Sequence, residues 1–251
     1  MKKYAVGFKF IFAILVMFFS VDGTSQINSK SINNADGIVV LELFTSQGCS
    51  SCPSADEVLT KYVLANQPNI FPLAFHVDYW NYIGWKDPFS KAQYSEKQRE
   101  YAKIFNSRSV YTPQLVINGK HELVGSAESK IDAIVKKESA FKTNSQIKIL
   151  TCKLSANQLF VEVETSEINK NSKINYALVK KKEFTKIKRG ENNGLAQTNY
   201  NIVFDFKTSI ENSATFDFED NKKPADFKVI AYIQNKNTRA ISAATKSEIS
   251  F

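Results

Sequence analysis

Ile38-Val39-Val40-Leu41-Glu42-Leu43-Phe44-Thr45-Ser46-Gln47-Gly48-Cys49-Ser50-Ser51-Cys52-Pro53 is the stretch on which the fold turns. Its first part, Ile38 to Phe44, is a nearly continuous apolar run of strand length, the pattern of a strand covered on both faces by other elements. One carboxylate, Glu42, interrupts it. After the loop Thr45–Gly48, Ala55, Val58, Leu59, Tyr62 and Val63 recur at helical spacing as far as about Ala65. Pro53 falls in the first turn of that helix, where a missing amide hydrogen costs little. A pair of cysteines therefore stands where a helix leaves a buried strand.

Working outward, Ile70-Phe71-Pro72-Leu73-Ala74-Phe75-His76-Val77 reads as a second buried strand, with Pro72 pointing to an early or edge position. Strand, helix and strand at this spacing form a right-handed parallel unit. Asp87-Pro88 supplies a helix start, and Tyr94, Gln98, Tyr101 and Phe105 follow along one face. Val110-Tyr111-Thr112-Pro113 leads into Gln114–Val124, two strands joined by the tight Asn118-Gly119 turn. A last helix is capped by Ser126, with Ile131, Ile134, Val135 and Phe141 as its apolar face. From Gln146 the pattern changes to alternation, as in Leu159, Val161, Val163 and Ile174, Tyr176, Leu178 and Val229, Ala231, Ile233. That is the signature of half-buried strands in an antiparallel sandwich.

The order βαβ, helical insertion, ββα, with the cysteine pair opening the first helix and an X-Pro bond before the hairpin, resembles the thioredoxin fold over about residues 37 to 143. The fold class expected is therefore an α/β thioredoxin-like domain over 37–143, a mixed sheet with flanking helices and a helical insertion, followed by an all-β antiparallel sandwich over 146–251. More closely, Leu41–Pro53, Phe75-His76-Val77-Asp78-Tyr79-Trp80 with Gly84-Trp85-Lys86-Asp87-Pro88, and Val110–Gln114 resemble the DUF1223 family of secreted bacterial proteins. That family is thioredoxin-like and functionally uncharacterised, so the resemblance implies fold and export and supplies no substrate.

The chemistry expected is thiol-disulfide exchange. A cysteine at a helix N-terminus sits near unpaired amides and the positive end of the helix dipole, which favour a thiolate. Cys49 is the attacking sulfur in this reading, and Cys52, one turn on, resolves the mixed disulfide. No cofactor is required beyond the redox-active disulfide Cys49–Cys52. Neither Ser50 nor Ser51 adds a cation, so an intermediate thiol pKa is expected. The resemblance implies that Thr112-Pro113 is cis and lies beside the pair, where backbone groups align an extended partner. It also implies a proton-accepting role for Glu42, close to where thioredoxins keep a buried carboxylate; a solvent-facing strand end is the other reading of that residue. Trp80, Trp85 and Tyr111 are the candidates to receive an apolar partner segment, with core packing as their alternative. His76, with Cys49 and Cys52, is a weak candidate copper site and otherwise a packing residue. The rival function is accordingly a non-catalytic binding protein or copper carrier on the same fold.

Compartment and partners come from the remaining features. Lys2 and Lys3 precede an apolar stretch, Phe10 to Phe19, too short to span a bilayer with its polar flanks, so residues 1–25 read as a signal peptide and 26–36 as a flexible leader. The expected location is the periplasm or outside the cell, with no stable membrane span after cleavage and with protein thiols or disulfides of the cell envelope as partners. Net charge is +8, concentrated at Lys180, Lys181, Lys182, Lys186, Lys188 and Arg189, but no nucleic-acid-binding motif accompanies it. A solvated basic loop and no nucleic-acid partner are expected. Cys152 lies in a strand-like run and reads as a small buried hydrophobe.

Overall fold

The computed structural model describes residues 1–3, 37–166 and 170–251. The chain divides into two units, Met1–Lys30 and Ser31–Phe251, and every helix and strand among the described residues belongs to the second. The expected signal peptide and leader lie outside the described residues, apart from Met1–Lys3. Among the described residues no helix is long and apolar enough to cross a membrane.

The apolar run from Ile38 to Phe44 forms most of β1 (Val39–Thr45), buried at every position. It is followed by α1 (Cys52–Ala65) and β2 (Ile70–His76), which pairs with β1 in parallel. Next come α2 (Ala92–Ile104), β3 (Gln114–Ile117), β4 (His121–Val124) and α3 (Glu128–Ser139). The expected hairpin is present, and Asn118 and Gly119 at its turn take positive φ values of 51° and 65°. The strands after residue 146 are β5 (Ile147–Ser155), β6 (Gln158–Thr165), β7 (Ser172–Lys186), β8 (Ala196–Ser209), β9 (Ser213–Asp217), β10 (Phe227–Asn235) and β11 (Ile241–Glu248).

These later strands do not stand apart as the expected sandwich. Among the described residues, only β5, β6 and β9 form a separate antiparallel sheet. The others extend the first sheet, giving eight strands in the order β11-β10-β7-β8-β2-β1-β3-β4. The join is the parallel pairing of β2 with β8 at Ala74 and Ile202, so β2 is internal and Pro72 does not mark an edge. Asn201 bridges the proline's neighbourhood instead, its Nδ2 donating to Pro72 O at 2.8 Å. Alternation decides which layer each strand residue enters. Leu41, Leu43, Ile70, Ala74 and Leu115 pack with α1 and α3, whereas Val40, Phe44, Phe75, Val203 and Tyr232 pack with Tyr94 and Tyr101 of α2. A third cluster, between the two sheets, contains Leu159, Phe216, Val229 and Cys152. Burial pushes the Cys152 thiol up to about 12, in keeping with its expected packing role.

Two sequence expectations change for reasons of packing. Helix α2 starts at Ala92 rather than at Asp87-Pro88, because Asp87 is buried and committed elsewhere. Phe141, expected on the apolar face of α3, lies beyond the helix end and is exposed.

Glu42 shares the α2 face with Val40 and Phe44, away from α1 and the cysteines. It is fully buried, accepts hydrogen bonds from Tyr101 Oη and Tyr232 Oη, and lies 3.1 Å from Lys97 Nζ. That ammonium is surrounded by the rings of Phe75, Tyr101, Phe206 and Tyr232 at 4.8 to 5.8 Å. The expected proton-accepting role of Glu42 toward Cys52 is therefore corrected, since a one-residue step along a strand sends a side chain to the opposite layer. Removing one member of a buried ion pair leaves the other unpaired in low dielectric. Glu42→Ala should cost about 3–5 kcal/mol in urea unfolding while leaving the pKa of Cys49 unchanged; an altered Cys49 titration in folded protein would contradict this placement.

Candidate functional site

The site is assembled where β1 ends and α1 begins. The turn Ser46–Cys52 is tight: Cys49 N donates to Ser46 O at 3.1 Å and Cys52 N to Cys49 O at 3.2 Å. The helix thus begins at Cys52, with Cys49 in the turn before it and Pro53 in its first turn as expected. All three cysteines are unbridged thiols.

Cys49 Sγ meets a ring of donors. Thr112 Oγ1 donates to it at 3.2 Å, and Ser51 Oγ lies 3.3 Å away. Trp80 Nε1 in turn donates to Thr112 Oγ1 at 2.8 Å. Because the indole nitrogen can only donate, it occupies a lone pair of the hydroxyl and turns the hydroxyl proton toward sulfur. The Cys49 thiol is lowered to about 6, first by the hydrogen bond from Cys52, against the opposing effect of burial, and further by Ser51 and Thr112. Side-chain hydrogen bonds thus contribute to the acidity. Cys52 is driven the other way by burial, by Cys49 and by the charge of Asp56.

The Thr112–Pro113 peptide is cis, and Gly125 N closes the segment by donating to Pro113 O at 2.9 Å. Gly125 has no room for a side chain, since a Cβ there would come within 2.6 Å of Leu43 Cδ1 and 2.9 Å of Ala55 Cβ. Thr112 and Pro113 thus stand beside the thiols. Trp85 donates from Nε1 to Gln47 Oε1 at 3.3 Å, so it braces the Ser46–Cys52 turn from outside. Burial and the charge of Glu122 raise the phenol of Tyr111, the residue before Thr112.

The other side of the site comes from a segment to which the sequence assigned no chemistry. Strand β8 carries a positive φ of 47° at Asn201, and on the near side of that residue the β7–β8 hairpin reaches over α1. Gln197 Nε2 donates to Asp56 Oδ2 at 2.7 Å and Asn199 Oδ1 accepts from Gln47 Nε2 at 2.9 Å. At the tip, Asn192 Nδ2 donates to both Gln47 O and Cys49 O at 2.9 Å, and Glu191 Oε2 accepts from Ser50 N at 3.0 Å. Gly190, at φ 75°, packs against Trp85, where a Cβ would come within 3.1 Å of the tryptophan Cβ. Cys49 is only 1% exposed, whereas Ser50 and Ser51 beside it are exposed. The basic residues Lys182, Lys186, Lys188 and Arg189 are accessible on this same arm, most of it strand rather than loop.

Beneath Cys52 lies a buried polar group. Paired residues Thr45 and His76 end β1 and β2, and both face α1. Asp56, one helical turn after Cys52, faces them. His76 Nδ1 is 2.7 Å from Asp87 Oδ2, and the same carboxylate oxygen accepts from Gln47 N at 2.8 Å. This partnership does not bring His76 to the thiols, and among the described residues no three His, Cys, Asp or Glu side chains are grouped to hold a metal ion. The weak candidate set Cys49, Cys52 and His76 is therefore not assembled. Sequence reading missed Asp56 and Asn192. The spacing of Asp56 from Cys52 on one helix face was a signal for the former, and nothing in the sequence pointed to the latter.

The model of the family DUF1223, described as a protein of unknown function, matches residues 40–238. Among solved structures, the X-ray crystal structure of protein AGR_C_4864 from Agrobacterium tumefaciens matches with a TM-score of 0.62 at 24% identity, covering 84% of this chain and 94% of that chain. At that identity the likeness shows the fold alone. No curated protein gives a significant match.

Two measurements check this geometry. Thr112→Val removes the hydroxyl donor and should raise the Cys49 pKa by about one unit, read from thiolate absorbance against pH. Asn192→Ala frees the turn from the hairpin tip and should speed iodoacetamide alkylation of Cys49 by about tenfold, followed by peptide mass spectrometry; an unchanged rate would show that the tip does not control access.

Proposed function

This chain belongs to the DUF1223 family, and we propose that it is an exported thiol-disulfide oxidoreductase acting on protein disulfides through Cys49 and Cys52. The observation that carries the reading is the Cys49 sulfur, 3.2 Å from the Thr112 hydroxyl and acidified to about 6, next to a Cys52 whose thiol is held protonated. One thiol is ready to attack and its neighbour is held back for the second step. The strand order β2-β1-β3-β4, with α1 and α3 on one face and α2 on the other, supports a thioredoxin-like reading of residues 37–143.

In the forward direction the Cys49 thiolate attacks a client disulfide, forming Cys49–S–S–R and releasing the client's other sulfur as a thiolate. Cys52 then loses its proton and attacks the Cys49 sulfur, closing Cys49–S–S–Cys52 and releasing R–SH. Two electrons pass to the client, and a dithiol reductant restores the pair; the reverse sequence oxidises a client. Thr112 steadies the thiolate, and Trp80 acts by orienting Thr112. The exposed edge near Trp80 and Trp85 is the surface for an arriving polypeptide. The setting proposed is the periplasm or the exterior, on the strength of residues 1–25, with thiols or disulfides of envelope proteins as partners.

The near-complete burial of Cys49 favours a second reading, a thioredoxin-fold binding protein whose dithiol is purely structural. Cys52→Ala separates the two. The oxidoreductase should accumulate mixed disulfides through Cys49 in envelope extracts, dissociable with dithiothreitol, and Cys49→Ala should abolish them. A variant that captures nothing, together with a wild-type disulfide reducible only after denaturation, would overturn the catalytic reading.

A further inference from the structure

The resolving step requires the Cys52 proton to go somewhere, in a place where Cys52 is fully buried. Among the described residues, the carboxylate acting on its charge is that of Asp56, four residues along α1 on the same face. Asp56 is itself buried, with Gln197 Nε2 on one oxygen. Behind it the fully buried His76 and Asp87 form a 2.7 Å pair, and Asp87 is held by the amides of Gln47 at 2.8 Å and Phe89 at 3.0 Å. His76 Nε2 has no hydrogen-bond partner among the described residues, although it is buried on the α1 side of the sheet. Gln197 Oε1 and Asn199 Nδ2, from the hairpin arm, are unpartnered as well. Unpaired buried polar atoms are costly and rare, and two of these, His76 Nε2 and Gln197 Oε1, belong to side chains that act on Asp56.

We propose that Asp56 receives the proton of Cys52 during resolution, and that the His76–Asp87 pair is the positioning unit that sets the pH at which Asp56 can do so. The inference rests on the oxidoreductase reading of Cys49 and Cys52. The groups facing Asp56 are Cys52 from α1, Thr45 from β1, His76 from β2, Asp87 from the connection to α2, and Gln197 from β8. Those facing His76 are Asp87 and Asp56. Burial raises Asp56 to about 6, with the His76 charge opposing and the Asp87 charge adding. For His76, burial pulls its pKa down, but the charge and hydrogen bond of Asp87 and the charge of Asp56 outweigh it and the net shift is upward. The upward shift favours the charged imidazolium, and that charge in turn favours ionised Asp56. In the step itself, the proton moves from Cys52 Sγ to the Asp56 carboxylate, the sulfur's electron pair forms the new bond to Cys49 Sγ, and the Cys49–S–R bond breaks with its pair leaving on the partner sulfur.

The pH dependence has a definite sign. Asp56 accepts a proton only when ionised, so resolution should accelerate as pH rises through its ionisation. Without the positive imidazolium the carboxylate ionises less readily, and the acceleration should move to higher pH.

The probe is 5,5′-dithiobis(2-nitrobenzoate). Attack by Cys49 releases one thionitrobenzoate and leaves a mixed disulfide, and attack by Cys52 releases the second, whose rate is followed by stopped flow across the pH range. Asp56→Asn should slow the second release by about 100-fold at neutral pH and abolish the inflection. His76→Gln should shift the inflection upward by a unit or more, and Asp56→Asn/His76→Gln should match Asp56→Asn alone. If His76→Gln fails to fold because Asp87 is left unpaired, His76→Gln/Asp87→Asn removes both charges and should still shift the inflection upward. A second release whose pH profile is untouched by Asp56→Asn overturns this inference alone. A wild-type protein that releases only the first thionitrobenzoate overturns the oxidoreductase reading as well.

Discussion

One carboxylate holds the site together. Asp87 takes the amide of Gln47 from the Ser46–Cys52 turn, the imidazole of His76 from the end of β2, and the amide of Phe89 from its own connection. The cysteine turn, the end of β2 and the connection to α2 are thereby fixed around a charge that has left water. Burial would raise such a carboxyl, but the imidazolium and the donated amides reverse the shift and keep it ionised. Once Gln47 is fixed, its side chain reaches Asn199 and Trp85, and its carbonyl is reached by Asn192. The position of Cys49, two residues on, is inherited from this node.

The consequence is a cysteine turn gripped from both sides. From within, the Asp87 node fixes the backbone; from without, the β7–β8 arm covers it, using Asn192 and Glu191 on the groups that flank Cys49. The sulfur consequently sits in a small polar enclosure where its acidity is set by the directions of a few hydrogen bonds. In such an enclosure each bond counts for more than it would in water, because solvent does not compete for the thiolate. The same enclosure separates the two cysteines chemically, one acidified and the other suppressed, although they are a single turn apart.

The large sheet explains why the arm is there at all. Joining β8 to β2 commits β7, β8, β10 and β11 to the sheet whose strand β1 leads into the Cys49–Cys52 turn, and the positive φ of Asn201 lies where the hairpin arm begins. The β7–β8 hairpin is thus both scaffold and part of the site. Its buried amides, Gln197, Asn199 and Asn192, are the polar side chains whose burial would make little sense in a free-standing sandwich.

Residue order alone determined the βαβ start, the cysteine pair at the helix entrance, the hairpin with its Asn118-Gly119 turn, and the alternating strands of the later half, since periodicity and turn chemistry are local properties. It also carried enough pattern to link the chain to its family. What only the tertiary structure decided is which layer each side chain enters and which distant segments meet. Glu42 and Asp56 look interchangeable as acids near a cysteine pair, yet strand alternation sends Glu42 to Lys97 and helical periodicity brings Asp56 to Cys52. Asn192 lies 143 residues from Cys49, and only the pairing of β8 with β2 brings its side chain to that cysteine's carbonyl. A hydrogen bond between such residues leaves no periodic trace in the chain, because its geometry belongs to the packed sheet.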